Sequence, residues 1–136
     1  MASKDANPSR IQIYQTGGLP HLRLVVRGWM TAENLQQQLE SADLLTELKA
    51  RGCAGITFET YQQTNFTAVH GKILCTMGAK TFVCAGIERV ALIVSDRVFQ
   101  TKLRLLLEQA IFCDAPLIRI FSEREYQSGL SPISWL

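Results

Sequence analysis

The chain has 136 residues, 47% of them hydrophobic and 19% charged, with a formal net charge of +2. That length holds one domain, and that hydrophobic content excludes a disordered chain. The near balance of 14 basic and 12 acidic residues lacks the basic excess of an obligate nucleic-acid binder.

Residues 1–10 are polar, carry Pro8 and show no periodicity, so a flexible lead is expected there, followed by a single domain over 11–136. No apolar run in the lead suggests a secretory signal, and no stretch reaches the ~18 apolar residues of a membrane span. Ile11 and Ile13, then Leu22, Leu24 and Val26, alternate with other residues as strands do. The turn-rich link Thr16-Gly17-Gly18-Leu19-Pro20 predicts that these two strands pair antiparallel. Thr31 reads as an N-cap with Glu33 in the first turn. One long helix is expected beyond it, from the spacing of Leu35, Leu39, Ala42, Leu45 and Leu48, ending at Arg51-Gly52 with Gly52 at C′.

Gly55-Ile56-Thr57-Phe58 predicts a third strand. Phe66, Val69, Ile73, Leu74 and Met77 have helical spacing, so a second helix is expected from Asn65 to about Lys80, weakened by Gly71 and Gly78. Val83–Gly86 reads as a connector. The continuous apolar run Val90–Val94 predicts a strand buried on both faces. Asp96 is a cap candidate for a third helix traced by Phe99, Leu103, Leu106, Leu107, Ala110 and Ile111. Cys113-Asp114-Ala115-Pro116 would stop that helix. Leu117–Phe121 reads as a fifth strand, and Ser122-Glu123-Arg124-Glu125 as a capping box opening a short helix. The predicted order is β-β-α-β-α-β-α-β-α, an α/β fold with parallel crossovers and an antiparallel first strand.

Several of these segments resemble the SpoIIAA-like family, part of the wider group of STAS and Sec14-related domains. They are the order of elements, Gly28-Trp29-Met30-Thr31 leading into the first helix, the strand Glu88-Arg89-Val90-Ala91-Leu92-Ile93-Val94-Ser95-Asp96, and the close Phe121-Ser122-Glu123-Arg124-Glu125 with Trp135-Leu136. The resemblance covers residues 11–136. It implies a small mixed sheet of four or five strands with helices packed on it, and a regulatory module that binds partner proteins. Some relatives are switched by phosphorylation of a serine, and others are linked with small apolar or lipid ligands. This chain departs from the switch motif: Phe58-Glu59-Thr60-Tyr61-Gln62-Gln63-Thr64-Asn65-Phe66-Thr67 holds no Ser-Gly pair. Thr64 and Thr67 are the positions that could stand in for the phosphorylated serine, and an N-cap is the plainer role for Thr64 or Asn65.

Sequence signatures of chemistry are sparse. Gly71-Lys72 fails the Walker pattern, and neither G-x-G-x-x-G nor G-x-S-x-G occurs. His21 reads as a solvated turn residue and His70 as a satisfied or half-buried helix residue, so no nucleophile–base pair stands out. The pairs Asp43/Glu47 and Glu123/Glu125 are explained by helix and cap electrostatics. Arg23, Arg27 and Arg119 lie in or beside strands, where they would guard an edge or line an anion cleft. Cys53, Cys75, Cys84 and Cys113 have no close zinc-type spacing and read as four buried thiols in a reducing cytoplasm.

The segments after the second, third and fourth strands should gather at the carboxyl rim of the sheet, where Trp29, Tyr61, Phe66 and Phe99 would make an apolar ligand-binding site. The expectation is a cytoplasmic, non-enzymatic protein-interaction module without metal or cofactor. Its partner would be another protein or a second copy, with no nucleic acid and no membrane span. The alternative is a carrier or sensor of a small apolar or lipid ligand held at that rim.

Overall fold

The computed structural model describes residues 10–15, 21–26, 30–60, 67–96, 105, 116–128 and 136. Five strands form one sheet: β1 (Ile11–Gln15), β2 (His21–Val26), β3 (Gly55–Glu59), β4 (Arg89–Val94) and β5 (Leu117–Ser122). Their spatial order is β1-β2-β3-β4-β5, the order of the chain. β1 pairs antiparallel with β2, matching Ile13 to Leu24, while β2, β3, β4 and β5 are mutually parallel. A mixed α/β fold follows directly from the expected alternation of strands and helices.

Strand parity divides the sheet into two faces. On one face Leu22, Leu24, Ile56, Phe58, Val90, Leu92 and Val94 are buried beneath α1 (Ala32–Leu39), α2 (Ala42–Arg51) and the long helical segment that follows β3. That segment comprises α3 (Ala68–Ile73), a π-helical turn (Leu74–Gly78) and α4 (Ala79–Cys84). Each of these apolar side chains contributes about 1.5–3 kcal/mol when fully buried, and Phe58 meets Phe82 edge to face, their ring centroids 6.3 Å apart. On the opposite face Ala91, Ile93 and Phe121 pack with Tyr126 of α5 (Glu123–Gln127) and with Leu136.

The single helix expected over 31–51 is two. Thr31 caps α1 as predicted, its hydroxyl accepting from the Asn34 N–H at 3.1 Å. The helix then stops at Glu40, and Ser41 caps α2 by accepting from the Asp43 N–H at 3.2 Å. This break resets the phase of the apolar face: Leu35, Leu39, Leu44 and Leu48 are buried, Leu45 is half-buried and Ala42 is exposed. Gly52 closes α2 in the left-handed region, φ 64° and ψ 42°, as its C′ reading requires.

The second helix begins at Ala68 behind the N-cap Thr67, later than expected, and runs through the supposed connector to Cys84. Val69, expected in its apolar set, is 58% exposed, while Phe82 is buried. The Thr76 hydroxyl donates back to the carbonyls of Lys72 and Ile73, a pattern that bends helices, inside the π-helical turn. Gly78 lies where a β-carbon would stand 3.2 Å from Leu74 Cδ1 and 3.4 Å from Leu39 Cδ1. Its missing side chain lets this helix approach α1. The Thr81 hydroxyl completes the contact by donating to the Leu39 carbonyl at 2.6 Å, which the end of α1 leaves open.

The capping box forms as read: Ser122 Oγ accepts from the Glu125 N–H, and Glu125 Oε1 accepts from the Ser122 N–H, both at 3.1 Å. Asp96 is tied to this helix, its Oδ1 accepting from the Arg124 N–H at 3.2 Å. The predicted lead over 1–10, Arg10 excepted, and the third helix traced from Phe99 to Ile111, Leu105 excepted, which is helical, lie outside the described residues. The four cysteines are not four buried thiols. Cys75 is disulfide-bonded, Cys53 is a half-buried free thiol and Cys84 an exposed one. Disulfides persist in oxidising compartments, so cysteine usage no longer argues for a reducing cytoplasm. No helix among the described residues is long and apolar enough to cross a membrane.

Candidate functional site

Parity places a polar cluster on the sheet face that carries α5. Arg23 of β2 stands opposite Thr57 of β3, with Glu59 two residues further along the same face. Glu59 is fully buried, and its carboxylate is held by four donors. Arg23 grips it in a fork, Nε to Oε2 at 2.8 Å and Nη2 to Oε1 at 2.9 Å. The Thr57 and Tyr126 hydroxyls each donate to Oε2 at 2.9 Å. Burial of a carboxylate is tolerable only with such pairing. The bond to Glu59 pushes the Arg23 pKa up, against the desolvation that lowers it. The Arg23 guanidinium also sits 5.7 Å from the centroid of the Tyr14 ring.

Arg23 is therefore not an edge guard: β2 is an interior strand, and its guanidinium is committed to a buried partner. Arg119, on the edge strand β5, is exposed, and Arg27 lies outside the described residues. His21 is likewise not a solvated turn residue. It opens β2 at 2% exposure, and its Nδ1 is buried without a hydrogen-bond partner among the described residues. Burial lowers its pKa, Glu59 opposes that shift, and the Arg23 charge adds to it.

At the carboxyl rim, His70 joins two chain segments. The Thr67 N–H, which can only donate, points at His70 Nδ1 at 3.2 Å. Nδ1 is thus the acceptor, and Nε2 carries the proton it donates to the Met30 carbonyl at 3.0 Å. The Thr67 hydroxyl lies 2.9 Å from the same Nδ1. Both ring nitrogens are occupied, as expected of a satisfied buried histidine. Thr60 closes the end of β3, its N–H and hydroxyl both donating to the Ile93 carbonyl.

Of the residues predicted for function, Trp29, Tyr61, Phe66, Phe99 and Thr64 lie outside the described residues. Thr67 is exposed and is the N-cap of α3. Among the described residues no three His, Cys, Asp or Glu side chains are placed to hold a metal.

A groove of about 530 Å³ lies between β1 and the α1–α2 pair, and its lining includes Ile11, Ile13, Gln38, Asp43, Leu44 and Glu47. Sequence reading treated Asp43 and Glu47 as helix electrostatics and did not place β1 beside them. Only the position of α2 at the sheet edge brings the two together. No protein-family model matches the chain, and no curated protein matches it.

Proposed function

We propose that this protein is a non-enzymatic interaction module of the STAS/SpoIIAA-like type, which binds a partner polypeptide along its β1 edge. The observation that carries this reading is the groove of about 530 Å³ flanking an edge strand. Such an edge offers unpaired backbone groups to another chain, and the groove supplies adjoining side chains for selection. The polar groups seen elsewhere are consumed internally: Glu59 by four donors, His70 by Thr67 and Met30.

Strand order also favours this reading over a small-ligand carrier. Doubly wound sheets bind ligands in the crevice that opens where the strand order reverses. Here β2 to β5 follow one another without reversal, so among the described residues the sheet builds no crevice of that kind. Native mass spectrometry of the protein purified from its own cells tests the reading. A bound second polypeptide or a dimer is expected. A small-molecule mass released on denaturation, with no polypeptide partner, would replace the reading by the carrier. A bare monomer would count against the interaction module.

A further inference from the structure

The β1 edge is already engaged in a strand-like bond by one of the protein's own side chains. The Ile11 N–H turns away from β2 and donates to Gln38 Oε1 at 2.7 Å, and the Gln38 Nε2 is held in turn by Asn34 Oδ1 at 3.2 Å. The Gln38 carbonyl thus stands where a neighbouring strand would place a backbone carbonyl. In an antiparallel pair, inward and outward hydrogen bonding alternates along the strand. Ile13 therefore presents its N–H and C=O to the same outer edge as Ile11, and no bond of the Ile13 N–H occurs among the described residues outside the strand ladder.

Parity sets the side chains too. Ile11 and Ile13 are half-buried on the face that carries α1 and α2, so a strand laid beside β1 would send alternate side chains toward Leu44, Asp43 and Glu47. Carboxylates outnumber the one cation in the lining. Among the described residues Asp43 makes no ion pair, while Glu47, its side chain 45% exposed, meets Arg51 at 3.5 Å, and Arg51 also donates to Gln15 Oε1 of β1 at 3.3 Å. Arg10 is the cation among the lining residues.

We infer that the groove takes an extended peptide that adds to β1 as a sixth strand and carries basic residues alternating with apolar ones. This rests on the interaction-module reading and names the partner's chemistry. Backbone hydrogen bonds to Ile13 would supply affinity, and the basic side chains, all sent to the α1–α2 side by strand alternation, would lay their aliphatic stems over Ile11, Ile13 and Leu44 with their cations at Asp43 and Glu47 and so supply selection. A small apolar ligand would leave the outward-facing Ile13 N–H unanswered.

The test uses the full chain and a fluorescein-labelled heptapeptide of alternating Lys and Val, read by fluorescence anisotropy. Saturable binding is expected. It should weaken at least tenfold when Glu replaces Lys in the peptide and at least tenfold for Asp43→Lys. Ile13→Pro, which removes an N–H the β1–β2 ladder does not use, should also weaken it at least tenfold. Should that variant misfold, the same peptide N-methylated on alternate residues replaces it, and a tenfold loss is again expected. No binding to the wild type, equal binding to Ile13→Pro, or full affinity of the N-methylated peptide would each overturn the inference. If the peptide fails while native mass spectrometry still finds a polypeptide partner, only the sixth-strand inference falls. A retained small molecule in place of any partner would remove the broader reading as well.

Discussion

Glu59 is the residue on which one face of the sheet depends. Its carboxylate is buried, and removing it strands Arg23 beside two hydroxyls that have lost their acceptor. Breaking a buried pair from one side costs about 3–5 kcal/mol, so Glu59→Ala should lower the unfolding free energy by that much at pH 7, as read from urea denaturation. Tyr126→Phe removes a single bond to a charged acceptor, and a smaller loss of about 1.5–3 kcal/mol is expected. His21 carries the pH dependence. Its pKa in the folded state lies below the ordinary 6.5 because burial disfavours the charged ring. The unfolded chain therefore binds the proton first, and stability present above about pH 6.5 falls as the pH drops toward the lower folded value. Urea midpoints measured between pH 7.5 and 5.5 should decline, and His21→Gln should flatten that decline. An unchanged slope in the variant would assign the acid sensitivity to other groups.

At the scale of single elements, local chemistry decides where helices start and stop. Thr31, Ser41 and Ser122 each accept a backbone N–H at a helix N-terminus, and Gly52 ends α2 in a conformation that an L side chain adopts at a cost. Nothing lies within 4 Å of a β-carbon built on Gly52, so the cost of Gly52→Ala is backbone strain alone. A destabilisation of about 1–2 kcal/mol is expected from the left-handed region, measurable by denaturant titration. Ser41 divides what the leucine spacing joins. The heptad-like run from Leu35 to Leu48 reads as one helix because Leu45 and Ala42 fit a continuous stripe. The cap at Ser41 instead rotates α2 so that Leu44 faces the sheet. The break also seats Asp43 and Glu47 against β1, which makes the groove an outcome of helix punctuation.

For the whole molecule, the disulfide and the terminal strand β1 are the properties with consequences outside the fold. Without reductant, iodoacetamide should label Cys84 first and the half-buried Cys53 more slowly. Cys75 should be labelled only after reduction, as peptide mapping by mass spectrometry would read. Labelling of Cys75 in the untreated protein would show the bond to be absent. The sequential strand order matters in the same way. With all parallel steps taken in one direction, α1 to α4 gather on one face and both edges of the sheet, β1 and β5, remain terminal. The groove lies at the first of those edges.

Read alone, the residues disclose the elements that depend on near neighbours. The antiparallel first pair joined by a turn-rich link, the apolar run of β4, the side-chain caps at Thr31 and Ser122 and the left-handed stop at Gly52 all show in residues close together in the chain. They also disclose that His70 is a satisfied ring on the apolar side of a helix. What they do not disclose is anything set by strand neighbours. Arg23 and Glu59 are 36 residues apart and meet only because β2 lies beside β3, although a charge alternating with Leu22 and Leu24 is a sign that a counter-charge is needed. His21 and Val69 were misplaced for the same reason. Whether a position is buried depends on what packs over it, and periodicity describes one element without its neighbours. Tertiary packing alone made an interior strand of β2, a terminal strand of β1, and a groove of the space between that edge and two helices.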